Sequence, residues 1–346
     1  MYAPEWIEMV GKALDIDGFD AAAFYFIAHM NDRLGERRMA RVAKYTPLSE
    51  DELRDGAFDA DWFKQVFKNV GEELFNQIYD AAKYITDGAK HVRARRYADA
   101  VIGRIPLQDA ENAIMDKRNK EMIVAYSLIP LLEDEEVARR YLFLQEFLKS
   151  SKGFGAQRMA SEKKLVNVSL RCLALNAGYA DVTRLTMRME ARLVEDRKAL
   201  FAPHAVGDLT VYLQLDEEGK ASIACQKDGK ALKSIPARIK KDPYVMELAA
   251  AQKEFTAQQA RTRRMLEEAM EDETVFTAGE IEALACNPVI EPMLRSIVFK
   301  ADNGYGYLRN GIWRDCSGND LHLESDAMVI IAHPWHLWHD GVWADH

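Results

Sequence analysis

The sequence predicts an α+β protein in two parts. An all-α N-terminal region spans residues 1–202, and a smaller antiparallel-sheet α+β domain spans 203–346. Three observations carry this reading. Before Pro203, apolar residues recur at helical spacing and no stretch alternates with period two. After Pro203 such alternation begins, punctuated by Glu218-Gly219 and Asp228-Gly229. With 346 residues, 48% of them hydrophobic and 29% charged, the chain is long and apolar enough for two cores.

The elements follow in chain order. Near the N-terminus, Asp17 or Asp20 is placed to cap a helix, and this explains the acidic cluster with Asp15 better than a calcium loop does. In DADWFKQVFKNVGEELFNQIYDAAKYI the apolar set Trp62, Phe63, Val66, Phe67, Leu74, Ile78, Ala81, Ala82 and Ile85 has helical spacing, and Gly71 predicts a break. RNKEMIVAYSLIPLL and VARRYLFLQEFLKSS repeat the pattern. Helix pairs on short loops predict a HEAT-like or irregular helical array. Gly153 in GFGAQR predicts a C-cap, and Arg158 with Glu162 predicts a surface pair one helical turn apart.

Beyond Pro203, three antiparallel strands are predicted at 209–215, 221–226 and 231–235, with Asp228-Gly229 as a type I′ turn. A helix opens at Asp242-Pro243 and runs to about Met270. A second opens at Thr277, where Glu280 completes a capping box and Phe276 with Ile281 forms a hydrophobic staple. LRSIVFK, GYGYLRNG, IWRD and AMVIIAH read as further strands.

Composition narrows function by exclusion. A net charge of -9 argues against nucleic-acid binding by the whole surface but leaves room for a local basic patch. Cys172, Cys225, Cys286 and Cys316 form no CxxC and read as free, buried thiols. The charged, amphipathic N-terminus is no signal peptide, and no run reaches roughly 18 apolar residues, so a cytoplasmic protein without a membrane partner is expected. GFGAQR lacks the third glycine of a dinucleotide fingerprint and follows a helix, not a strand. GxxxxGK[ST], HExxH and GxSxG are all missing, and no cofactor is expected.

Two clusters remain as candidate sites. Residues 227–264 hold ten Lys and Arg against four acids, about +6. Lys230, Lys233 and Ser234 beside the hairpin, with Lys240, Lys241, Arg261 and Arg264, are the candidate phosphate or nucleic-acid ligands. Solvated lysines on an exposed hairpin and helix face are the competing explanation. In AHPWHLWHDGVWADH, His333, His336 and His339 fall three apart and are weak candidate metal ligands. Against a metal, Pro334 separates His333 from a single shared helix, and Asp340 is the sole nearby carboxylate. Trp335, Trp338 and Trp343 in the same stretch predict an exposed apolar patch.

Several ordered stretches carry a resemblance: YLFLQEFLKSSKGFGAQRMASE, LALNAGYADVTRLTMRME, KDGKALKSIPARIKKDP, RTRRMLEEAMEDETVFTAGEIEAL, NPVIEPMLRSIVF and AHPWHL. Across residues 94–337 the chain resembles the bacterial molybdate-metabolism-regulator-like family, large proteins with C-terminal domains of unknown function, some with a WGR domain. No Trp-Gly-Arg signature is found here. The resemblance implies regulation, supplies no catalytic residues, and implies a fragment or a member truncated at its C-terminus. The expected function is therefore a non-catalytic regulatory or scaffold module whose partners are proteins or the remaining domains of a larger chain. Nucleic-acid or nucleotide-phosphate binding through 227–264 is one alternative. The other is an enzyme whose site a missing C-terminal segment completes.

Overall fold

A computed structural model describes residues 4–85 and 88–345. The protein is α+β, and it divides into two compact units, Met1–Val182 and Thr183–His346. The first strand begins at His204, whereas the units divide ahead of that, before the helix that contributes Met187 to the second unit's core.

Among the described residues the first unit is helical throughout. Its helices are α1 (Pro4–Leu14), α2 (Phe19–Ala28), α3 (Glu36–Val42), α4 (Glu50–Asp55), α5 (Ala60–Ala81), α6 (Val92–Val101), α7 (Leu107–Lys117), α8 (Lys120–Leu128), α9 (Asp134–Ser151) and α10 (Ala156–Asn176). Residues 22–28 of α2 and 123–128 of α8 are buried on every side, as expected for central helices. α2 packs on α5, and α8 packs on α6, α7 and α10. Gly71 breaks α5 with φ 72° and ψ 164°.

Buried arginines satisfy the carbonyls that helix ends leave open. Arg93 donates to His29 O (2.9 Å) and Met30 O (2.6 Å) after α2, and to Leu53 O (3.1 Å) and Arg54 O (2.8 Å) in α4. Arg140 does the same for Ile129 O (2.6 Å) and Pro130 O (2.9 Å) beyond α8.

Three local expectations are corrected here. Gly153 lies within a 3-10 turn; the break before α10 is made at Gly155, whose φ of 88° suits glycine. Arg158 and Glu162 do pair at 3.0 Å, but Glu162 is buried, because Arg118 also grips it bidentately and lies over Phe147 and Phe154. α2 is capped by Gly18 without a side-chain bond, while Asp20 accepts from the Tyr45 hydroxyl at 2.7 Å.

The second unit holds α11 (Val182–Asp196) and two antiparallel sheets. The first sheet runs β1 (His204–Val206), β2 (Leu209–Leu215), β3 (Ala221–Lys227) and β4 (Lys230–Ala231) in order. Asp228 and Gly229, at φ 49° and 77°, form the predicted turn. The strand expected at 231–235 shortens to β4, because residues 231–234 are exposed and bury nothing against the sheet, and Pro236 follows with no N–H to give.

Asp242 caps α12 (Pro243–Glu271) by accepting from Tyr244 N and Val245 N. β5 (Phe276–Thr277) leads into α13 (Ala278–Ala285), whose Thr277–Glu280 capping box forms as predicted. α14 (Glu291–Leu294), β6 (Phe299–Ala301), β7 (Gly304–Arg309), β8 (Ile312–Arg314), β9 (Met328–Ile331) and α15 (Pro334–His339) complete the chain. The second sheet has the order β5-β9-β6-β7-β8.

α12 serves both sheets. Val245, Leu248, Ala251 and Phe255 enter the core under the first sheet, and Met265, Leu266 and Ala269 enter the core under the second. Between them its buried face turns polar. Gln258 donates to Glu190 O at 2.6 Å, and Arg261 forks onto the Glu190 carboxylate at 2.5 and 2.9 Å.

Candidate functional site

The basic segment does not fold into one surface. Lys230, Lys233 and Ser234 are exposed at the hairpin, and Lys240 and Lys241 are exposed just before α12. Lys227 (3.1 Å) and Arg238 are both paired with Asp208, which neutralises part of the hairpin group. Arg261 is half-buried on Glu190 and serves packing. Arg264 is exposed, but 22 residues of helix past Asp242 place it about 33 Å from the lysines along the axis of α12.

The histidines are likewise drawn apart, each by a local bond. His333 is the N-cap of α15, its Nδ1 accepting from Trp335 N at 3.1 Å. His336 Nδ1 accepts from His333 N at 3.1 Å and closes a capping box made of two histidines, while its Nε2 meets Glu273 Oε1 at 3.0 Å. His339 stacks on Trp335, with 4.7 Å between ring centroids, and meets Asp340 Oδ1 at 3.0 Å. Among the described residues no group of three His, Cys, Asp or Glu is placed to hold a metal ion. As expected, Pro334 separates His333, the N-cap, from the helix, and only two of the three histidines share it. Proline sits at the first helical position, where no N–H is required, and His336 and His339 both lie in α15.

The cysteine expectation also needs correction, since Cys172 and Cys225 are buried but Cys286 and Cys316 are exposed.

What this stretch does present is an aromatic surface. Trp335, Trp338 and Trp343 are 54, 70 and 57% exposed, while His336 and Leu337 turn inward. Trp335 and Trp338 lie three apart and therefore share a helix face. The platform is fixed beneath. Lys300 Nζ and Tyr305 OH donate to Asp340 Oδ2 at 2.7 and 2.6 Å. The hydrogen bond from Lys300, then those from Tyr305 and His339, hold the Asp340 carboxyl far below the usual carboxylate range.

Sequence reasoning missed Lys300 and Tyr305. A signal was there, since the two-residue turn Asp302-Asn303 pairs Ala301 with Gly304 and therefore sets Lys300 opposite Tyr305.

Each unit holds a cleft of small-ligand size. One in the first unit, about 510 Å³, lies beside the stacked rings of Tyr45 and Trp62. On its rim Glu52 pairs with Arg171 at 2.9 Å and Asp55 with Lys164 at 2.7 Å. The other, about 650 Å³, lies along α12.

Fold and surface together define an α+β protein with a helical unit and a sheet-bearing unit that presents a fixed tryptophan face. The chain belongs to a family of unknown function, DUF5724, matched over residues 1–189. Residues 229–346 match a domain of unknown function, DUF4132. No curated protein and no solved structure matches the chain.

Proposed function

We propose that this chain is a non-catalytic interaction module of a bacterial regulatory or scaffold protein, acting in the cytoplasm. One observation carries the reading: Trp335 and Trp338 exposed on a braced helix, with Trp343 exposed just beyond it. Tryptophan is the residue type most enriched where binding energy concentrates, and a rigid aromatic face loses little entropy on docking. The resemblance to molybdate-metabolism-regulator-like proteins supports a regulatory setting. In this reading the helical unit is a HEAT-like or irregular array that adds surface for partners.

The test places a photo-reactive phenylalanine analogue at position 338 in producing cells. One or a few discrete crosslinked proteins are expected, absent when the analogue replaces Tyr84, which is 73% exposed in the first unit. Equal crosslinking from both positions, or none from 338, overturns the reading. Crosslinks to nucleic acid at 338 would replace it with a nucleic-acid function.

A further inference from the structure

The cleft of about 650 Å³ in the second unit falls within the range of small-ligand sites, about 300–1,000 Å³. Its floor is one face of α12 bearing Arg263, Leu266, Glu267 and Met270. The β2–β3 turn forms one wall with Glu218 and Lys220, and Met293 and Ile297 belong to the other. The turn is fixed in place: Gln259 Nε2 donates to Glu218 O at 3.0 Å, and Gly219 lies so close to Val289 that a Cβ there would meet its carbonyl oxygen at 2.6 Å.

The cleft's helix charges are unused. Arg263 and Glu267 lie one helical turn apart on α12 and are exposed, yet among the described residues neither closes an ion pair or a side-chain hydrogen bond. At this spacing in the same unit Arg295 meets Glu291 at 2.6 Å and Arg192 meets Asp196 at 3.9 Å, whereas Arg264 and Glu268, next along α12, stay unpaired among the described residues. Here an open cation and an open anion on α12 stand beside Leu266 and Met270, with Glu217, Glu218 and Lys220 on the facing turn.

We infer that this cleft binds a short zwitterionic peptide of dipeptide size with apolar side chains. Its carboxylate meets Arg263, whose guanidinium presents a fork matched to a carboxylate. Its ammonium meets Glu267. The side chains rest on Leu266, Met270, Met293 and Ile297, where the flexible methionines adapt to different shapes. Size selects the ligand class. Residues i and i+4 have Cβ atoms about 5–6 Å apart, and two extended residues span about 7 Å. Lys220 and Glu218 on the turn offer the second partner for each end.

The experiment is isothermal titration of the full chain with methionyl-leucine. Saturable one-site binding is expected. It weakens at least about tenfold in Arg263→Gln and in Glu267→Gln, and by a similar factor when the peptide is N-acetylated, when it is C-amidated, or when diglycine replaces it. Both substituted residues are exposed, so unchanged melting curves are expected to show that the variants fold. Heat absent at concentrations on the order of 10 mM overturns the inference. So does affinity that survives either substitution or either cap.

Discussion

His29 shows what burial does to a single titratable side chain. It is 0% exposed, and the rings of Tyr25, Phe58, Trp62 and Tyr97 surround it with centroids 4.6–6.3 Å away. Its Nδ1 donates to Tyr25 O at 2.9 Å, so the proton sits there, and Nε2 is left without a partner among the described residues. Burial lowers its pKa from 6.5 to about 4, and the nearby Arg93 charge adds to the effect. The folded pKa lies below the unfolded one. The stabilisation is therefore complete above about pH 6.5 and is lost as pH falls toward 4. Linkage puts the full loss at about 3 kcal/mol, of which about 2 kcal/mol falls between pH 7 and 5. Urea unfolding at those two pH values measures it. In His29→Phe the drop should be about 2 kcal/mol smaller than in the parent, and equal drops in both proteins refute the assignment. No sequence pattern announced this residue, since a lone histidine in an apolar helix carries no sign of which carbonyl or rings it will meet.

At the scale of elements, two of the three turns of the first sheet offer a matched pair of glycines. Gly219 and Gly229 have nearly equal φ, 73° and 77°, and differ in surroundings. A Cβ on Gly229 meets nothing within 4 Å, whereas one on Gly219 strikes the Val289 carbonyl. Gly229→Ala should thus cost only the left-handed backbone strain, about 1 kcal/mol. Gly219→Ala adds a steric clash and should cost at least about 1 kcal/mol more. Chemical denaturation of the two variants compares them, and equal costs would show that the turn at Gly219 moves freely. Both turns were legible in the sequence, as were the caps at Asp242 and Thr277, because each rests on bonds within four residues. The burial of Glu162 was not, since it depends on what another part of the chain brings. Arg118 reaches Glu162 from 44 positions away.

For the molecule as a whole, the first unit is helical in every described element, so a fragment of residues 1–182 should give a purely helical far-ultraviolet circular dichroism spectrum. A substantial strand component would contradict this. The change of texture at Pro203 was readable because strand and helix periods differ. The unit division at Val182 was not, because α11 looks like one more helix until Glu190 is seen bonded to Gln258 and Arg261. The same distinction separates charge from site. A run of +6 is visible in the letters, but α12 carries its far end about 33 Å from the hairpin lysines. The candidate aromatic face, by contrast, was legible as three tryptophans within nine residues, while its bracing by Lys300 and Tyr305 required the sheet.

The polar waist of α12 acts as an index pin. An apolar helix face can slip along its groove and find new partners of similar shape. Gln258 and Arg261 cannot, because a shift of one residue would aim them away from Glu190 and bury their hydrogen-bonding groups unsatisfied. The helix is thereby locked at one axial setting, and the aliphatic grips at its two ends are held a fixed number of turns apart. The spacing of the two sheets is metered by a single rod, and the tooth that meters it lies near the rod's middle.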